Sequence, residues 1–133
     1  MSVTLTDQDH LTLRTAAYGA VTLLSAAAGS PHKVATEGSI ALASATGLVG
    51  HVLGDKSTGV KLTGKTVAEL ADQVLPALTA AMSLLKEQDP AEAGNFRGTV
   101  LIAVEAGTGA QKGEPSPTMA EMTRKITEAL DAA

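Results

Sequence analysis

The sequence predicts an all-α fold, a compact bundle of about five helices, and three observations predict it. Ala is the commonest residue, 24 of 133, with 13 Gly and only two aromatics, Tyr18 and Phe96. Ala is the strongest helix former because it gives up no side-chain entropy on entering a helix. Apolar residues recur at three- and four-residue spacing. Each periodic stretch also begins at a residue pattern that can cap a helix.

The first helix is expected from about Asp7 to Ala28, with Thr6 as N-cap, Asp9 at the third helical position and Gly29 as the stop. Leu13, Ala17, Val21 and Leu24 mark its apolar stripe. The second starts at Ser30-Pro31, a capping hydroxyl followed by Pro at the first helical position. It is expected to run to about Leu53 or to break near Gly47 or Gly50. Beside its apolar stripe lies a line of small residues, Ser39, Ala43, Gly47, Gly50 and Gly54, which reads as a site of close helix packing.

A polar segment, Gly54–Lys65, precedes the third helix. There Thr66-Val-Ala-Glu69 is a capping box, and Val67, Leu70, Val74, Leu78, Ala81 and Leu85 form the stripe. Pro76 lies inside and should kink the helix, because it has no N–H for the carbonyl of Asp72. The fourth helix starts at Asp89-Pro90, with Glu92 expected to complete a cap. Its Thr99–Val104 run is β-branched at four of six places; a lone strand would lack a partner, so helix is the reading. Thr108–Pro117 reads as a Gly/Pro linker. The last helix is expected from a cap at Thr118–Glu121, with Met119, Met122, Ile126 and Leu130 on its apolar face. The whole chain, 1–133, is expected to form a single helical domain.

Composition excludes several function classes. No Cys is present, so disulfides, thiolate metal sites and Cys nucleophiles are out. A net charge of −4 argues against a nucleic-acid partner, whose polyanionic backbone asks for a basic surface. The longest charge-free stretches, Thr15–His32 and Gly38–Gly54, are too polar for a membrane span. The N-terminus has no cationic region of the secretory type, and a cytoplasmic location is expected.

One stretch matches a motif with a mechanism. Gly59-Val-Lys-Leu-Thr-Gly64-Lys65-Thr66 fits the phosphate-binding pattern G-x-x-x-x-G-K-[ST]. In that loop backbone amides wrap the phosphates, Lys65 would reach the terminal phosphates, and Thr66 would bind Mg²⁺. A helix should follow, and one is expected. A buried strand should come directly before Gly59, but Leu53–Thr58 is polar and turn-like. Thr99–Glu105 imitates the downstream strand that ends in an acid. Such domains need a parallel sheet of several strands, and the chain offers two candidates at most. Shuffled sequences of this composition contain the pattern about once in a hundred. The preferred reading is an interhelical connector, with Gly59 and Gly64 as turn residues, Lys65 solvated and Thr66 as a cap.

Other candidates are weaker. Arg14 and Tyr18 stand one turn apart on the first helix and Arg97 adjoins Phe96, so an interhelical pocket for a carboxylate or phosphate is conceivable there. Asp7 with His10, and His51 with Asp55, have metal-ligand spacing but no second pair to complete a site. No catalytic set, metal set or cofactor is indicated. Wide faces of Ala, Val and Leu make interaction the natural function class. A non-enzymatic, self-associating scaffold module is expected, as a homodimer.

Overall fold

The computed structural model describes residues 5–55, 59–111, 113–114 and 116–133, and among these it is all-α. Six helices follow one another: α1 (Asp7–Ala26), α2 (Pro31–Ala43), α3 (Gly47–Gly54), α4 (Val67–Gln88), α5 (Pro90–Ala110) and α6 (Pro117–Asp131). α1 packs along α4 and α2 along α5, the two most extensive pairings, and α6 closes against α4. One apolar core draws on all six helices, with Leu23, Leu24, Leu78, Leu85, Phe96 and Ile126 among its fully buried members.

The caps explain where the helices begin. Thr6 Oγ1 accepts the Asp9 N–H at 3.1 Å, and Asp9 Oδ2 accepts the Thr6 N–H at 2.9 Å, a reciprocal capping box. At α4, Thr66 Oγ1 accepts the Glu69 N–H at 3.1 Å, and the hydroxyl donates to Glu69 Oε1 at 3.2 Å. α4 then continues through Pro76 to Gln88.

Several boundaries differ from the expectation, each for a local reason. Of the two alternatives for the second helix, the break near Gly47 is the one observed, with 44–46 between α2 and α3. Gly47 takes a φ of +69°, open to glycine but unfavourable to other residues. The new N-terminus is capped from elsewhere in the chain. Glu92 Oε2 accepts the Val49 N–H at 3.1 Å, and Asn95 Nδ2 donates to Glu92 Oε2 at 3.1 Å and to the Thr46 carbonyl at 2.9 Å. Glu92 therefore caps α3, while the Asp89 side chain makes no cap bond to its own helix. With the helix split, the small line from Ser39 to Gly54 is divided between α2 and α3 and forms no continuous face. Close packing occurs at other glycines. A Cβ at Gly38 would lie 2.8 Å from Val21 Cγ1, and one at Gly107 would lie 3.0 Å from Val34 Cγ1.

Gly107 is buried, and α5 consequently runs on to Ala110, so the linker begins at Gln111 and not at Thr108. Residues 112 and 115 of that linker lie outside the described residues. α6 is capped by Ser116, whose Oγ accepts the Met119 N–H at 3.1 Å, two residues before the expected cap at Thr118. The run Thr99–Val104 is helical. Thr99, Val100, Ala103 and Val104 are buried and Ile102 is exposed, a helical period that tertiary burial imposes over β-propensity.

Candidate functional site

The segment from Gly59 to Thr66 lies against α1 and α4, and side chains from both occupy its main chain. Gly59 adopts a φ of +77°, and its carbonyl accepts Arg14 Nε at 3.0 Å. The Lys61 N–H donates to Thr15 Oγ1 at 3.0 Å. The Thr63 and Gly64 N–H groups both donate to Gln73 Oε1, at 3.1 and 2.7 Å. Gln73 Nε2 returns a bond to Thr63 Oγ1 at 2.6 Å. In a phosphate loop, successive amides converge on phosphate oxygens. Here two successive amides converge on a neutral side-chain oxygen supplied by α4. Gly64 also fits closely, since a Cβ there would lie 2.8 Å from the Leu70 main-chain nitrogen.

The surroundings are helical. Upstream of Gly59 the described chain is α3, and residues 56–58 lie outside the described residues. The Thr99–Glu105 segment belongs to α5, with Glu105 exposed. Lys65 is exposed and Thr66 is engaged as the α4 cap.

Arg14 and Tyr18 do come together. Arg14 is only 6% exposed. Its Nη1 donates to the carbonyls of Leu53 and, at 3.4 Å, Val52, while its guanidinium lies 5.0 Å from the centre of the Tyr18 ring. The Tyr18 hydroxyl donates to the Leu53 carbonyl at 3.0 Å. The last carbonyls of a helix have no partner within it, and a cation suits the negative end of the helix dipole. Arg14 and Tyr18 thus cap α3 and fasten Gly59 beside it. His10 Nδ1 lies 3.8 Å from Asp55 Oδ2 at the same corner. No group of three metal-ligating side chains forms among the described residues.

Arg97 belongs to a different place. It makes a two-pronged pair with Asp131 of α6, at 2.7 and 3.2 Å, on the surface. The hydrogen bond from Arg97 holds the Asp131 carboxyl below its ordinary value. The structure therefore joins Arg14 to Tyr18 but ties Arg97 to α6.

A groove follows the seam between α2 and α5. One part, about 580 Å³, is lined by His32, Lys33, Glu37, Ala106 and Gly109 among others. Further along, a smaller hollow of about 200 Å³ includes Ala41, Ser44, Thr99 and Ile102. Ile40, 56% exposed, and Ile102, 60% exposed, stand on the two helices that bound this seam. Sequence reading missed both, because each sits in an apolar run whose neighbours are core. Gln73 and Glu92 were missed too, since their partners are distant and no local pattern marks them.

No described helix is long and apolar enough to cross a membrane. The chain matches no protein-family model, no curated protein and no solved structure.

Proposed function

We propose that this chain is a non-enzymatic helical interaction module that self-associates through the outer side of α2 and α5. The carrying observation is the pair Ile40 and Ile102, each more than half exposed on adjoining helices of one groove. Single exposed apolar residues are ordinary on a protein surface, but two on the helices that bound one groove offer a contact surface. The absence of Cys and the mild acidity support a cytoplasmic setting without a nucleic-acid partner. The connector supports the non-catalytic reading, because its amides already hold Gln73 and Thr15.

Sedimentation velocity from about 1 to several hundred micromolar, the range of weak self-association, tests the proposal. The wild type is expected to move from monomer to dimer. Ile40→Lys with Ile102→Lys is expected to weaken that step at least tenfold, about 1.4 kcal/mol. A monomer throughout, or an unchanged dimer in the double variant, would overturn the proposal.

A further inference from the structure

α3 is the shortest of the six helices and the least able to stand alone. It has eight residues, and Gly47, Gly50 and Gly54 are among them. Isolated helices under about 12–15 residues are marginal in water, and glycine is a poor helix former. Thr46, at its N-cap, makes no side-chain cap bond. Both ends are instead held by side chains distant in the chain. At the N-terminal end, Glu92 of α5 accepts the Val49 N–H and Asn95 donates to the Thr46 carbonyl. At the C-terminal end, Arg14 of α1 donates to the Val52 and Leu53 carbonyls, and Tyr18 donates to Leu53. Between these two latches Val49, Val52 and Leu53 are buried against α1, α2 and α5.

Glycines with positive φ stand on either side, Gly47 at +69° and Gly59 at +77°. Glycine passes between positive and negative φ at little cost, so the chain can turn at both points. Docking also requires glycine inside α3. A Cβ at Gly47 would lie 2.9 Å from Glu92 Oε1, and one at Gly50 would press on the Ala45 carbonyl oxygen. The residues that let α3 dock therefore weaken it as a helix once it is undocked. We infer that α3 is a hinged flap that opens as one unit. Both latches release together, α3 turns out on Gly47 and Gly59 and loses its helix, and an apolar trough between α1, α2 and α5 is uncovered while α4, α5 and α6 stay folded. A helix of about two turns has no interior, so losing one latch leaves too few bonds to keep the other turn wound. That coupling sets the flap apart from a helix that frays at one end. The flap is independent of self-association.

Amide hydrogen exchange on the full chain, read by NMR in low urea, tests the flap. In the wild type the amides from Gly50 to Gly54 are expected to share one protection factor, below that of Leu78 in α4 and Val100 in α5. Their opening should also depend less steeply on urea, because undocking α3 exposes less surface than global unfolding. Tyr18→Phe removes one donor at the C-terminal latch, and Glu92→Ala removes the acceptor at the N-terminal latch. Each is expected to speed all the α3 amides by a common factor, about threefold for Tyr18→Phe and about tenfold for Glu92→Ala. Acceleration confined to the end nearer the substitution, or none in either variant, would overturn the single unit. A wild-type urea slope at α3 equal to that at Leu78 and Val100 would overturn the flap outright, and that measurement stands even where a variant fails to fold.

Discussion

The Gly59–Thr66 connector and the α2–α5 seam make opposite use of their residues. The connector carries a complete ligand-binding pattern, yet its polar groups are engaged within the chain by Arg14, Thr15, Gln73 and Glu69. The seam matches no motif, yet it leaves Ile40 and Ile102 in water and Gly109 facing open space. A pattern gives residue types at a spacing; binding needs groups still available to a ligand. On the proposed reading, binding falls to the seam and structural support to the connector.

The most damaging test is at Arg14. Arg14→Ala removes donors to three carbonyls at the end of α3 and at Gly59. Charge-assisted hydrogen bonds contribute roughly 1.5–3 kcal/mol each at most, and buried acceptors left alone add to the loss, so about 3 kcal/mol of destabilisation is expected. Urea unfolding would measure it; a loss under about 1 kcal/mol would mean that the connector is not fastened through Arg14. Gln73→Ala should cost about 1–2 kcal/mol, because the Thr63 and Gly64 amides lose their acceptor. The same variant tests the phosphate pattern, since it frees those amides for an anion.

Gly98→Ala, on α5 where a Cβ would meet nothing within 4 Å, acts with the opposite sign. Helix propensity predicts a gain of about 0.5–1 kcal/mol in stability. Thermal unfolding would read it; destabilisation would mean that the added methyl does not stand in open space. Lys65→Ala is expected to leave stability within about 0.5 kcal/mol, as for an exposed side chain. Titrating a fluorescent nucleotide with Mg²⁺ should show no saturable binding to the wild type. Saturation lost in the Lys65 variant would return function to the connector.

The smallest effect concerns pH. Asp131 has its folded pKa lowered from 3.8, first by the hydrogen bond from Arg97. Between the lowered value and 3.8 the unfolded chain binds more protons, so stability rises with pH there. The contribution is present above pH 3.8 and fades as pH falls through the folded value. Asp131→Asn should flatten that acid slope slightly, the pair being on the surface. A steep residual slope would point to other carboxylates.

Local signals in the sequence account for much of this architecture. The Thr6–Asp9 box, the Thr66 cap and the stripe of α4 are visible because their partners lie three or four residues apart. Gly47 was legible as a possible break, but its cap was not, because Glu92 reaches it across 43 residues. The same limit hid Gln73. It also grouped Arg97 with Arg14, though each arginine is fixed by a partner on another helix.

By itself the sequence determined that this chain is helical and roughly where every helix but α3 begins, because propensity, capping and apolar period are short-range effects. Tertiary structure alone decided which polar groups are engaged and which apolar groups are left exposed. Arg14 looks equally available whether it faces water or the end of α3, and Ile102 looks like core until the helices around it are placed. Burial depends on neighbours distant in the chain, and that dependence separates the engaged connector from the open seam.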